Sequence, residues 1–514
     1  MKKTWCLAYL RPSLLGLSIS GLASVSLLAA APRIACAQNV GNVDPTQTTD
    51  WASGAIAYAQ QMSMFKDTGQ GSQATPQSIP KLEVDADPSG SVATFQPGGA
   101  TSTPSNAFFG NLGTNGRTCF TCHQPQNGWT ISAASASARF YASSGQDPLF
   151  RLVDGATCPS DDVSSFDAQK TAYSLLINKA LIRIGIPLPA APKLEFAVTA
   201  VQDPYNCTTN PVTGLTSPTT GIVSMYRRPL PSTNLGFLTA IMWDGREPSL
   251  SNQAIDATLI HAQAGTASTA HQQSEIVTFE TGIFTAQTSD NNASVLNGNN
   301  ATGGPVALSL QLAKFFIGVN DPVGLNPTGQ PFDPNIFDLY RPWLGLQDYR
   351  LSVARGEEVF NTTKIKIKGV TGLNDVLNQP VINGFCGTCH DTPNVGNHSV
   401  KAPLNIGIAN AGHDAPPALD ISALPVFTLE CFAGPLMGKT FSVTDPGRGL
   451  ITGKCADIGK VKGPILRGLA ARAPYFHNGS AATLLDAVNF YDQRFNIGLT
   501  NQQKQDLVNF LNTL

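Results

Sequence analysis

The chain has 514 residues, with 33 Lys plus Arg against 35 Asp plus Glu and a formal net charge of −2. That balance offers no basic footprint for nucleic acid. Only 13% of residues are charged and 42% are hydrophobic, while 47 Gly and 36 Pro run high, so the chain is expected to be loop-rich around modest cores, not disordered.

Lys2, Lys3 and Arg11 precede an apolar run from Leu14 to Ala30, followed by Ala35-Cys36-Ala37. This pattern predicts a secretory signal peptide over residues 1–37 and, in a bacterium, a periplasmic protein. A lipoprotein reading would use Cys36, but Arg33 stands where a lipobox needs an aliphatic residue. No later stretch reaches the roughly 18 apolar residues of a membrane span. Residues 38–105 are rich in Gln, Ser, Thr, Gly and Pro, with an amphipathic patch around Ile56 to Phe65, and are expected to form an extended arm.

Residues 106–345 and 346–514 are expected to be two further domains, each with one Cys-X-X-Cys-His motif. The first contains a candidate helix, Ala168–Ile184, and a loop-rich stretch at 286–304. The second opens with a helical segment, Leu351–Phe360. The alternation Lys364-Ile-Lys-Ile-Lys368 then predicts a short strand. Thr500 and Gln503 suit a capping box for a closing helix whose apolar face is Leu507, Val508, Phe510 and Leu511.

The motifs are Cys119/Cys122/His123 and Cys386/Cys389/His390. Two thiols a helical turn apart can form thioethers to a haem, and the following histidine then falls beneath the iron. A zinc site would need two further ligands nearby, and a thioredoxin-like pair would need a βαβ context. Neither pattern is present, so two covalently attached c-type haems are expected. Four cysteines remain in the exported chain: Cys158, Cys207, Cys431 and Cys455. Of three connectivities, proximity favours Cys158–Cys207 and Cys431–Cys455.

Three further stretches carry a resemblance. Met242-Trp-Asp-Gly-Arg246 with Gln253 resembles the FWDGRA…Q segment of bacterial di-haem cytochrome c peroxidases. Lys462-Gly-Pro-Ile-Leu-Arg-Gly468 with Ala473-Pro-Tyr-Phe-His-Asn-Gly-Ser480 resembles their KVPTLRN…APYFHDGS signature, and Ala354-Arg-Gly-Glu-Glu-Val-Phe360 the opening of their second domain. The likeness spans roughly residues 108–514, with an unmatched expansion between 140 and 225, and the superfamily includes MauG. It implies an all-α pair of cytochrome c-type haem domains, here with loop-rich insertions and the N-terminal arm. It also implies peroxide chemistry at the His123 haem, with Trp243 relaying electrons to the His390 haem. Gln253, ten positions beyond Trp243, matches the glutamine that hydrogen-bonds bound peroxide. The alternatives are a packing aromatic for Trp243 and a surface residue for Gln253.

The departures from the family pattern are informative. The position of its acid–base glutamate holds Gln263, which cannot move a proton, whereas His261 can. His261 is therefore the candidate base, with an iron ligand or a structural histidine as alternatives. No histidine lies between His123 and His261, so the early sixth ligand of the peroxidases has no counterpart and the first iron is expected to be open. His271, His398 and His413 are read as structural or exposed, and His477 as a hydrogen-bonding group near the second haem.

At the second haem, the family's methionine ligand, fourteen positions after His477, is replaced by Tyr491, as in MauG. Leu484, Ala487, Val488 and Tyr491 share one helical face. Tyr491 as ligand, Tyr491 as core residue and Met437 as ligand all stay open. Relatives also hold a calcium ion between the domains, partly by carbonyls, and Arg472 and Pro474 fall in the matching place.

Three functions follow. The first is a periplasmic peroxidase-like oxidoreductase that reduces hydrogen peroxide with electrons from a small donor protein. The second is a MauG-like or oxygenase-like enzyme acting on a protein or organic substrate. The third is a non-enzymatic electron-transfer cytochrome.

Overall fold

The computed structural model describes residues 75–322 and 326–514, all within one contact unit, Asp44–Leu514. The signal-peptide segment and the Ile56–Phe65 patch lie outside the described residues. No helix among the described residues is long and apolar enough to cross a membrane.

The all-α expectation is overturned. Among the described residues about 30% are helix and 16% strand, and the strands form five small sheets. Much of this strand content lies in or against the 140–225 expansion, which the family resemblance does not cover. Phe196–Gln202 pairs antiparallel with Val426–Cys431, which pairs in turn with Thr440–Val443. Period-2 alternation explains the central strand: Phe427, Leu429 and Cys431 are buried while the residues between them face outward. Disulfides Cys158–Cys207 and Cys431–Cys455 are present, the pairing that proximity favoured.

Where it is described, the expected arm is made of paired strands. Leu82–Asp87 and Gly90–Phe95 form a hairpin whose second strand pairs with Phe284–Asp290, and Ser294–Val295 completes a four-stranded sheet. Part of the expected 286–304 loop is therefore strand. The helix expected over Ala168–Ile184 is also divided. Phe166–Ala172 and Ser174–Lys179 are helical, Ala180 turns left-handed at φ 49°, and Ile182–Pro187 is a strand paired with Ile222–Arg227. Tertiary pairing here overrides local helical preference.

The C-terminal helices follow their sequence signals. Asp348 caps Tyr349–Thr362, accepting from Arg350 N at 3.0 Å, and Thr500 with Gln503 caps Asn501–Asn512 reciprocally. The two helices meet at Gly356, where a Cβ would stand 2.0 Å from the Asp506 carbonyl, so only glycine permits the approach. Arg355 pairs with Asp506 at 2.8 Å beside it. Trp343, Phe360, Phe510 and Leu514 fill the core behind. The strand predicted at Lys364–Lys368 is present as Ile365–Ile367, paired with Ile382–Gly384.

Candidate functional site

Both Cys-X-X-Cys-His segments form one tight helical turn. Cys119–Cys122 is a helical turn and Cys386–Thr388 a 3-10 turn, each opened by a threonine hydroxyl three residues on. Thr121 Oγ1 accepts from Thr118 N at 3.0 Å, and Thr388 Oγ1 from Phe385 N at 2.9 Å. None of the four cysteines is in a disulfide, and burial raises the pKa of each thiol. Each histidine is fixed by a carbonyl six residues later. His123 Nδ1 donates to Trp129 O at 2.8 Å and His390 Nδ1 to Gly396 O at 2.7 Å. A carbonyl can only accept, so each Nε2 is left without the proton and able to bind a metal. Burial also holds both rings neutral, lowering the pKa of His123 to about 4 and that of His390 in the same direction.

The turn at His123 opens on a cavity of about 1290 Å³ of non-atom space. Ser249 caps the helix Leu250–Ile260, accepting from Asn252 N at 3.1 Å. Gln253, Ala257 and His261 recur at four-residue steps on it and all line the cavity. His261 Nδ1 lies 2.5 Å from Asp154 Oδ2, whose other oxygen receives Arg117 Nη1 at 2.6 Å. Asn115 Nδ2 donates to the His261 carbonyl at 2.8 Å. Burial favours the protonated acid at Asp154, but Arg117 and His261 outweigh it and hold the carboxyl below the usual range. The Asp154 acceptor selects the tautomer with hydrogen on Nδ1, in which the lone pair of the neutral ring lies on Nε2. Gln263 is held aside, its Oε1 accepting from Asn115 Nδ2 at 3.2 Å.

Two residues of this cavity escaped the sequence reading. Asp154 lies in the unmatched expansion, 107 residues from its partner, and no local pattern marks it. Glu280, on the helix Ala270–Gly282, is 3% exposed and its Oε2 has no partner. Burial pushes its pKa up to about 8 against a hydrogen bond from Ser232, so the acid is protonated at neutral pH. Only a glutamate at a predicted helical core position could have signalled it.

The turn at His390 opens on a second cavity of about 1780 Å³. Leu484, Ala487, Val488 and Tyr491 all line it from the helix Leu484–Phe495. The rings of Tyr491 and His390 are 6.4 Å apart between centroids, and burial, with Cys389 and Cys386 nearby, raises the phenol's pKa. Met437 is 70% exposed and lines neither cavity. His271 and His413 are exposed, and His398 is buried against Asp391 at 3.0 Å. His477 is buried, 3.5 Å from Asp445, and neither of its ring nitrogens has a hydrogen-bond partner.

Trp243, Arg228, Pro229 and Pro231 line both cavities. Trp243 Nε1 donates to Arg228 O at 2.8 Å, and the indole meets the His477 ring edge-on at 6.0 Å. Lys462 Nζ stands 5.9 Å from the indole centroid. Arg227 ties this loop to the second half of the chain, pairing with Asp244 at 2.5 Å and Asp445 at 2.7 Å.

A haem fits these surroundings. Arg228, Lys462 and Arg472 face the second cavity, and Arg472 Nε has no partner. Burial depresses their pKa values to about 9, 7 and 10, with Arg472 adding to the effect on Arg228 and Lys462. Buried cations short of counter-charge suit a cofactor carrying carboxylates. Calcium does not fit at Pro474: its carbonyl accepts from Arg228 Nη1, while Nη2 binds Ile131 O at 2.7 Å, so a fixed cation already holds the place.

No family model matches the chain. It is 32% identical to cytochrome-c peroxidase IdrP2 of Denitromonas iodatirespirans over 139 residues, 26% of this chain and 36% of that protein. It is 41% identical to IdrP1 of the same organism over 69 residues, 11% of this chain and 18% of that protein. With IdrP1 of Pseudomonas sp. (strain SCT) it shares 36% identity over 81 residues, 14% of this chain and 21% of that protein. The chain thus spans 18% to 36% of the length of these relatives. Among solved structures, a MauG-like protein associated with microbial copper homeostasis is 17% identical, covering 56% of this chain and 73% of that one. Its TM-score of 0.30 marks a loose likeness. The matched segments make the chain similar, over part of its length, to bacterial cytochrome-c peroxidases.

Proposed function

We propose that this protein is an exported di-haem c-type oxidoreductase that reduces hydrogen peroxide in the His123 cavity and draws electrons through the His390 cavity. The observation that carries the proposal is the His261–Asp154 pair, placed in the same cavity as the free Nε2 of His123. Haem bound through the paired cysteines at each histidine supplies the iron that takes up electrons and binds peroxide. Arg228, Lys462 and Arg472 would hold its carboxylates at the second site.

His261 Nε2 takes one proton from hydrogen peroxide and returns it to the leaving oxygen, while Asp154 keeps Nδ1–H in place. Gln253 hydrogen-bonds the peroxide from the same helix face. Two electrons and two protons convert H₂O₂ to two waters. Trp243, which lines both cavities, carries the electrons between them. The two disulfides suit an oxidising, exported setting.

Pyridine haemochrome analysis tests the cofactor assignment. Two c-type haems should survive acid–acetone extraction, and Cys386→Ala with Cys389→Ala should leave one. A wild-type stoichiometry below two contradicts the assignment.

A second reading, MauG-like oxidation of a protein or organic substrate, draws on Tyr491. Bound to a haem iron as phenolate, Tyr491 would favour ferric or higher states, and so retention of oxidising equivalents over electron uptake.

A further inference from the structure

The strand Ile365–Ile367 has two faces with different chemistry. Ile365 and Ile367 are 6% and 2% exposed and line the cavity that also holds Cys386, Cys389 and His390. Lys364, Lys366 and Lys368 point the other way, all exposed. None of the three has an ion-pair partner among the described residues. Their cross-strand neighbour is uncharged: Lys366 pairs in register with Asn383, itself exposed. Arg494 adds a fourth cation at the strand's end, donating through Nη2 to the carbonyls of Lys368 and Gly369, each at 3.0 Å. Next to the paired strand, Val381 is 38% exposed. A chain of net charge −2 thus gathers unpaired positive charge one strand's thickness from the second cavity.

We propose that this lysine face is the docking surface for a small acidic electron-transfer protein that feeds the His390 site. The inference rests on the reading of the second cavity as a haem site. Complementary charge would raise the encounter rate by about 10- to 1,000-fold and make it fall with salt. Each encounter would oxidise the donor by one electron and deliver that electron to the haem that Cys386, Cys389 and His390 would hold. Two encounters supply the two electrons that one peroxide consumes. The simpler role for lysines on a short strand is to deter edge pairing, which predicts no dependence on donor charge.

The test uses the full haem-loaded chain with flavodoxin, a strongly acidic one-electron protein, as probe. Binding of oxidised flavodoxin is measured by calorimetry, and reduction of the His390 haem by reduced flavodoxin in a stopped flow, both across ionic strength. Wild type should bind and react with a steep negative salt dependence. Lys364→Glu/Lys366→Glu/Lys368→Glu should lose binding and slow reduction about tenfold or more at low salt, with the salt slope flattened or inverted.

Methyl viologen radical, a small cation, should reduce both proteins at comparable rates, showing the haem intact. If the triple Glu variant does not fold, Lys364→Gln/Lys366→Gln/Lys368→Gln should give the same loss in milder form. Salt-independent kinetics in wild type, or unchanged rates in either variant, overturn the proposal. Lysine-dependent binding to vesicles of phosphatidylglycerol without binding to flavodoxin would overturn it in favour of a membrane surface. Failure of viologen-reduced protein to consume peroxide would sink the peroxidase reading and leave the docking result standing.

Discussion

Asp154 Oδ2 lies 2.5 Å from Nδ1 of His261, across 107 residues of sequence, and Arg117 pins the same carboxylate at 2.6 Å. The pair gives the His123 cavity an imidazole with a fixed tautomer. His261→Ala should slow the reaction with peroxide by on the order of 10²- to 10⁴-fold, the usual worth of a positioned acid–base group. Asp154→Asn should slow it less, because the imidazole stays but its orientation is loosened. Stopped-flow rates and ferric spin-state spectra of both variants check this. A change of spin state in His261→Ala would identify His261 as an iron ligand instead.

Tyr491 separates the two enzymatic readings. If it binds iron as phenolate, Tyr491→Met should raise the reduction potential of one haem, since negative charge beside the metal is removed. Tyr491→Phe should alter the spectrum of that haem alone. Unchanged spectra and potentials in both variants would show Tyr491 to be a core residue and remove the support for the MauG-like reading.

Glu280 imposes a pH dependence on stability. Its pKa is raised from 4.5 to about 8, mainly by burial. Between those values the folded chain keeps a proton that the unfolded chain releases, so this group's contribution falls as pH rises through that window. Glu280→Gln keeps a neutral side chain at every pH. The melting temperature of the variant relative to wild type should therefore climb between pH 5 and pH 8; a constant difference contradicts a buried, protonated Glu280.

Arg227 is a fixed charge between Asp244 and Asp445, with side-chain exposures of 2%, 0% and 0%. Arg227→Met leaves two buried carboxylates without their shared cation. Denaturant unfolding should show a loss of about 3–5 kcal/mol, the range for breaking a buried pair from one side. A loss under about 1 kcal/mol would mean that the pair is solvated.

What the sequence made legible is what local chemistry determines. The helical turns at Cys119 and Cys386, the Thr500–Gln503 cap and the alternating lysine strand all follow from spacing, as does the face from Leu484 to Tyr491. The all-α expectation failed because it came from the resemblance, whereas the strand Phe196–Gln202 finds its partner more than 200 residues away. Asp154 was hidden for the same reason: a carboxylate in an unmatched loop gains meaning only when the fold brings His261 to it. Calcium near Pro474 came only from the resemblance, and Arg228, far away in the chain, takes that carbonyl.

The most direct test of peroxide chemistry at an open His123 site is a stopped-flow experiment mixing the as-isolated diferric protein with hydrogen peroxide, followed in parallel by ferric spin-state spectra. One haem should be high-spin, bind cyanide, and react with peroxide at a rate that rises linearly with peroxide concentration and drops sharply in His261→Ala. Two low-spin haems, inert to both cyanide and peroxide, would contradict the account and leave an electron-transfer cytochrome in its place.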